Sequence, residues 1–329
     1  MKNNKFLNHS TPEPTGKYKV GYNSIDLYDQ TRPYDKPDKG WLIPIRIYFP
    51  INLSPADFSP HELEPENRAI KVWEQIRYNT YSKRTSINNM QKGKWPLVFM
   101  NHGLDASSTD YSWICEELAS HGYIVISILH QLDSNVKNTN SYHKDYSILL
   151  HARFVENILF VHKWLQDKSK LELKNNIDFS RVCLMGHSFG ANSILLLLNR
   201  TIGTDQVHKT ILPVYENISN KHKECVVLMD PNHIFSFPDH VNIPIHFQIS
   251  EERSNRFKKA GVIDKIKSIG HQVNVYDKSK HISFLDHGYL EPDYLANPQG
   301  YFSGTTEQRE LFFNKIRKNI RKFIASSLN

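Results

Sequence analysis

Arg181 to Leu198 reads RVCLMGHSFGANSILLLL. Arg181 to Met185 predicts a strand, Gly186-His187-Ser188-Phe189-Gly190 a tight turn, and Ala191 to Leu198 a helix. A G-x-S-x-G pattern is common by chance. A strand directly before it and a helix directly after it make it a sharp strand-to-helix elbow that exposes the serine. Such a turn strains the serine backbone and leaves no room for side chains at its flanks, hence glycine at 186 and 190. Ser188 Oγ is then expected at the carboxyl edge of a sheet, over a helix N-terminus that favours negative charge. The bland alternative is a buried serine in an ordinary strand-to-helix connection.

Outward from the elbow the pattern is regular. Trp95 to Asn101 (WPLVFMN) is a continuous apolar run ending at His102-Gly103, Thr109 to Ser120 has helical spacing, and Tyr123 to Leu129 is a second apolar run. Ile148, Ala152, Val155, Ile158, Leu159 and Val161 form one face of a helix over Ser147 to Asp167. Downstream, Cys225 to Met229, Ile243 to Ile249 and Gln272 to Tyr276 read as strands, Phe257 to Ile269 as a helix. Thr306 to Leu328 reads as a closing helix begun by a Thr305/Gln308 capping box. Lys17 to Asp26 and Ile43 to Phe49 are earlier strands. Near-continuous apolar strands alternating with helices predict an α/β fold, a mostly parallel sheet covered on both faces. Residues 1–16 are expected to form a flexible arm and residues 17–329 one domain. A polar surface insertion at about 51–94 is expected to carry one helix, Glu62 to Tyr78.

The 329 residues are 39% hydrophobic and 23% charged, which excludes a disordered or collagen-like chain. No apolar run approaches the roughly 18 residues of a membrane span. Lys+Arg exceed Asp+Glu by 41 − 34 = 7, a thin excess with no RNP, helix-turn-helix or C2H2 pattern, so no nucleic-acid partner is expected. Cys115, Cys183 and Cys225 lack CxxC spacing and read as buried thiols rather than a disulfide framework or zinc site. MKNNKFLNHSTPEPTG has no apolar h-region, so a cytoplasmic location is expected, with export by a route lacking a cleaved signal as the alternative.

A serine hydroxyl needs a base to take its proton. On this kind of sheet the partners follow the serine in chain order at strand ends. Asp230 closes CVVLMD, and His281 follows the strand in QVNVYDK. They are the expected orienting carboxylate and general base, with Asp239 and Glu251 as competing carboxylates and His287 as a competing base. His240 and His246 fall too early. The oxyanion needs two preorganised donors: the Phe189 N–H, and one from His102-Gly103-Leu104, expected at Leu104.

His102-Gly103-Leu104, LASHGYIV (Leu118 to Val125), GHSFG (Gly186 to Gly190) and the H-x-x-F-x-D run from His281 to Asp286 resemble the plasma-type platelet-activating factor acetylhydrolase family. KYKVGY and PIRIYFP resemble that family's opening strands, so the likeness spans roughly residues 17–290. The resemblance implies an α/β-hydrolase fold and metal-free hydrolysis of short or oxidised sn-2 acyl esters of phospholipids. It assigns Ser188 as nucleophile, His281 as base, Asp230 as its partner, and Leu104 and Phe189 as oxyanion donors, with no cofactor. Three positions depart from the family's pattern: Ala191 after GHSFG, Asp105 after HGL, and Asn232 where an aromatic commonly follows the acid.

The expected substrate pocket draws on His102, Gly103, His187, Phe235 and Phe284; Phe235, Phe237 and Phe284 could equally fill core. The closing helix carries Phe312, Ile316, Ile320, Phe323 and Ile324 on one face, and Lys315, Arg317, Lys318, Arg321 and Lys322 over much of the rest. It reads as a packed helix with a solvated basic face, the alternative being peripheral contact with a membrane surface. The expected activity is a serine esterase acting on a small-molecule or lipid ester. The alternatives are a general carboxylesterase, lipase or polyester hydrolase, and, from another class, a non-catalytic binding protein on the same fold.

Overall fold

The computed structural model describes residues 6–32, 40–52, 61–62, 77–131, 144–167, 171–199, 223–232, 243–289 and 304–329. The strands, in chain order, are β1 (Phe6–Ser10), β2 (Lys19–Asp29), β3 (Trp41–Ile51), β4 (His61–Glu62), β5 (Arg77–Thr80), β6 (Lys83–Arg84), β7 (Trp95–Asn101), β8 (Ile124–Ile128), β9 (Ile177–His187), β10 (Lys223–Met229), β11 (Ile245–Ser250) and β12 (Gln272–Tyr276). The helices are α1 (Ser112–Ser120), α2 (Lys144–Gln166), α3 (Leu171–Asn176), α4 (Phe189–Asn199), α5 (Glu251–Lys259), α6 (Val262–Ser268) and α7 (Thr306–Leu328).

Nine strands form one sheet in the order β12-β11-β10-β9-β7-β8-β3-β2-β6. From β8 to β12 every pairing is parallel, while β3 runs antiparallel to both β8 and β2. Alternate side chains of each central strand enter opposite layers, as the two-residue repeat of a pleated strand requires. Leu97, Phe99, Ile124, Ile126, Val226 and Leu228 pack with α2, α4, α5 and α6, the last two contributing Phe257, Ile263 and Ile266. Val98, Met100, Cys183, Met185, Cys225 and Val227 pack on the other face with α1 and α7. Both faces are therefore covered, which is why these strands read as unbroken apolar runs. The three cysteines are free and buried, as their scatter predicted.

α7 buries Phe312, Phe313, Ile316, Ile320, Phe323, Ile324 and Leu328 in that second layer, and its Thr305/Gln308 capping box forms as read. Its apolar face is thus spent inside the molecule. Among the described residues no helix is long and apolar enough to cross a membrane.

Three expectations are corrected. Residues 6–16 are not loose: β1 pairs with β5, and Thr11 Oγ1 donates to Glu116 Oε2 at 3.1 Å. The Thr15 N–H and Oγ1 donate to Glu117 at 2.9 and 2.6 Å. The helix expected over Glu62 to Tyr78 begins and ends in strands, since β4 and β5 pair antiparallel with His61 opposite Thr80; residues 63–76 lie outside the described residues. The helix expected over Phe257 to Ile269 is two, α5 and α6. Ser250 caps α5 by accepting the Arg253 N–H at 3.0 Å, and Gly261, at φ 67°, turns the chain between them.

Candidate active site

Strand register gathers the site. Asn101 pairs with Gly186, His187 with Met229, and Met229 with Gln248. The residues that follow β7, β9 and β10, namely His102, Ser188 and Asp230, therefore leave the sheet's carboxyl edge side by side.

Ser188 sits at φ 53° and donates its N–H to the Met229 carbonyl at 2.9 Å. This left-handed conformation costs a non-glycine residue about 1–3 kcal/mol. The elbow has no slack: a Cβ at Gly190 would lie 2.4 Å from Asn101 O, and one at Gly186 2.7 Å from the Gly190 carbonyl carbon.

Asp230 is fully buried, with φ 46°. One carboxylate oxygen accepts the Ser250 N–H at 2.8 Å and the other lies 2.6 Å from His281 Nδ1. Burial pushes this carboxyl up. The His281 and Ser250 hydrogen bonds and the Arg253 guanidinium outweigh that, so its pKa falls below the ordinary value and the group is an anion. An anionic Asp230 requires the proton on His281 Nδ1. Nε2, 2.8 Å from Ser188 Oγ, is then the acceptor for the serine hydroxyl. The His281 side chain is 25% exposed against 0% for Asp230, so the histidine has one open flank.

His281 heads a 3-10 turn, His281–Phe284, followed by a second, Asp286–Gly288. This loop is bolted to α1. The Asp286 carboxylate accepts the N–H groups of Ser112 and Trp113 at 2.8 and 2.9 Å, and Trp113 Nε1 donates to the Phe284 carbonyl at 2.9 Å. The carboxylate thereby satisfies donors that the first turn of α1 leaves without intrahelical partners. From the other side the His281 N–H donates to Glu252 on α5 at 2.8 Å.

The Phe189 N–H is the first of α4, and the Leu104 N–H lies in a turn closed by Ala106 N–H to Gly103 O at 3.2 Å. Neither donates to a protein acceptor among the described residues, which leaves both for an oxyanion. The side chains of Leu104, Phe189, Leu150 and Phe154 pack into one apolar cluster beside them. Asp105 follows at φ 61°, where burial raises its carboxyl above the ordinary carboxylate value.

The other expected pocket residues that are described are buried and bonded or packed within the protein. His102 Nε2 accepts the His130 N–H at 2.9 Å, so its Nδ1 carries the proton and donates to Gly103 O at 2.6 Å. Burial pushes His102 down to about 4, which keeps it neutral. Gly103 donates its N–H to Tyr111 Oη, and His187 is buried against Tyr111 and the His281 backbone. Phe284 is fully buried among Tyr276, Phe312 and His187. Phe235, Phe237, Asp239 and His240 lie outside the described residues. Of the competitors, Glu251 accepts the Lys278 N–H and His287 is buried within the second turn.

The sequence reading missed several neighbours. Arg253 places Nε 3.7 Å from Asp230 Oδ2 and Nη2 3.0 Å from His281 Nδ1, and donates to Asn232 Oδ1 at 2.8 Å. No local motif marks it, although the Ser250 cap and the acidic pair Glu251-Glu252 announce its helix. His151 stacks on Phe189 with centroids 3.7 Å apart, and its Nδ1 lies 2.7 Å from Ser193 Oγ. Leu150 and Phe154, also on α2, lie outside the apolar face read from that helix and pack with Phe189 and Leu104 instead.

Sheet order, elbow and strand-end carboxylate together define an α/β-hydrolase. Over 98% of this chain and 94% of the other, the fold superposes with a TM-score of 0.67 on a ferulic acid esterase from Streptomyces cinnamoneus at 16% identity, a likeness of fold. A family model described as platelet-activating factor acetylhydrolase, isoform II, matches residues 6–170, half of the chain, and the chain belongs to that family. It is 24% identical over 306 residues to a platelet-activating factor acetylhydrolase of Cavia porcellus, covering 74% of this chain and 66% of that one. It is also 30% identical over 115 residues to cutinase est1 of Thermobifida alba, 33% of this chain and 32% of the other. The family match contains the His102-Gly103-Leu104 loop and ends before Ser188.

Proposed function

We propose that the protein is a calcium-independent serine esterase that cleaves short or oxidised sn-2 acyl esters of phospholipids. The observation that carries this reading is the continuous alignment of Ser188 Oγ, His281 and buried, anionic Asp230, at 2.8 and 2.6 Å. Ser188 attacks the ester carbonyl while His281 Nε2 takes its proton, and Asp230 steadies the imidazolium. The tetrahedral oxyanion is held by the Leu104 and Phe189 N–H groups. His281 then protonates the leaving alcohol, and water repeats the sequence on the acyl-enzyme. Each charge that develops has a protein partner, so the mechanism calls on no metal.

Family membership and the relative from Cavia porcellus favour the phospholipid ester. The aligned cutinase favours a second reading, a general carboxylesterase or polyester hydrolase. The cluster of Leu104, Leu150, Phe154 and Phe189 places apolar side chains beside the oxyanion donors, which is compatible with an acyl group at that edge.

Turnover of p-nitrophenyl acetate, butyrate and octanoate by wild type and Ser188→Ala, with and without EDTA, tests the proposal. Activity should vanish in the variant, survive EDTA and fall with acyl length, and a short sn-2 acyl phospholipid should be cleaved. Preference for octanoate would favour the general esterase. Absence of turnover on every ester, with both proteins folded, would leave a binding protein on a hydrolase fold.

A further inference from the structure

Two buried side chains that the chemistry above leaves unused span the gap between the oxyanion loop and the loop bearing the base. The Gly103 N–H lies 3.1 Å from Tyr111 Oη, Tyr111 Oη lies 2.8 Å from His187 Nδ1, and His187 Nε2 lies 2.9 Å from the His281 carbonyl oxygen. Every proton in this chain has one place to be. The Gly103 amide can only donate and the His281 carbonyl can only accept. His187 Nε2 must therefore carry the imidazole proton. Burial pushes His187 down to about 3, so it is neutral, and its bare Nδ1 takes the hydroxyl proton of Tyr111. The tyrosine oxygen is then free to accept from Gly103. Tyr111 is 0% and His187 2% exposed, so water does not compete for these bonds.

Each end of the chain adjoins a working group. Gly103 precedes Leu104, whose N–H faces the oxyanion, and the carbonyl at the far end belongs to His281 itself. His187 also precedes Ser188 in the elbow and lies against the His281 ring, with centroids 4.8 Å apart. We propose that Tyr111 and His187 are positioning residues: a strut of fixed length, running beneath Ser188, that sets the spacing between the Leu104 N–H and the His281 imidazole. This rests on the reading of Ser188, His281 and Asp230 as the catalytic triad. The Asp286 contacts to α1 hold the base loop without the strut, so the fold survives its loss while the fine spacing does not.

Tyr111→Phe removes one hydroxyl and keeps the ring. Its kcat on p-nitrophenyl acetate should fall about 10- to 100-fold, the range in which small misplacements of reacting groups act, with KM changed less than about twofold. Affinity for an alkyl trifluoromethyl ketone, which forms a tetrahedral adduct with an active serine, should fall by the same factor as kcat/KM. His187→Gln should behave alike, and the double variant should be no worse than the poorer single, because both cut one chain. The strut is overturned if Tyr111→Phe keeps its kcat within about twofold of wild type, if only KM rises, or if the two losses multiply. Should His187→Gln not fold, the Tyr111→Phe kinetics and inhibitor affinity decide. Turnover retained by Ser188→Ala would remove the triad reading and the strut with it, whereas an inactive Ser188→Ala beside a fully active Tyr111→Phe removes the strut alone.

Discussion

At φ 53°, Ser188 adopts a backbone shape that glycine takes without strain. The proposed chemistry gives that cost a reason: the same turn aims Oγ at His281 and sets the Phe189 N–H beside it. Ser188→Gly should therefore abolish turnover yet raise stability by about 1 kcal/mol, read from urea unfolding midpoints. Unchanged or lower stability would mean that the elbow stores no strain. In the proposed mechanism Asp230 keeps the His281 proton on Nδ1. In Asp230→Asn the carboxamide cannot supply the same charge or tautomer control, and kcat should fall about 10³- to 10⁴-fold in a folded protein. At this scale the elbow and Asp230 were legible because apolar runs mark the strand ends they follow, and His281 because it comes a short loop after the last strand. Arg253 and Tyr111 were not. Their importance comes from atoms that meet them across the fold, at 3.0 Å and 2.8 Å, and no spacing rule links them.

Among elements, the base loop depends on α1. Asp286 is buried and accepts two amide protons from the first turn of that helix, so one carboxylate both caps α1 and anchors the loop holding His281. Asp286→Ala should cost about 1–3 kcal/mol through the orphaned N–H groups. It should lower kcat as well, and the pair of effects is readable by denaturation and steady-state kinetics. A stability loss with unchanged kcat would show that the cap and the positioning of His281 are separable. The H-x-x-F-x-D run was visible in the sequence, but its aspartate and phenylalanine showed their use only as the cap of a helix far back in the chain and as core packing. The helices carried by periodicity, α2 and α7, were legible, since apolar stripes on a 3.6-residue repeat are local. α5 and α6 were merged because Gly261, which separates them, reads as an ordinary interruption until its φ of 67° is known.

For the whole molecule, two adjacent carboxylates in α1 join parts distant in sequence. Glu116 accepts from Thr11, Tyr81 and Ser82, and Glu117 accepts from Thr15 and pairs with Arg321 at 2.8 Å and Arg317 at 3.4 Å. Burial raises the Glu117 carboxyl, but the His121 and Thr15 hydrogen bonds and the Arg317 charge hold it down at about 2, against an ordinary 4.5. A carboxyl lowered in the folded state contributes stability that is complete above 4.5 and is lost as the pH falls toward 2. The shift corresponds to about 3 kcal/mol. Glu117→Gln should be destabilised by about that amount at pH 7 and should lose much less than wild type between pH 4.5 and 2. Equal acid sensitivity in both proteins would place the acid-labile group elsewhere. The arm and the 51–94 segment looked peripheral in sequence because their partners lie 34 to 105 residues away.

Local chemistry determined much of this protein in advance: apolar runs set the parallel strands, a periodic stripe set each long helix, and glycine around a serine set the elbow. Those features depend on neighbours in the chain, so the chain displays them. Tertiary structure alone decided which histidines serve the scaffold, which arginines meet the buried carboxylates, and how the oxyanion loop is spaced from the base. These are matters of ångströms between residues far apart in sequence, and only the packed sheet, through its register and its covered faces, brings them within hydrogen-bonding reach.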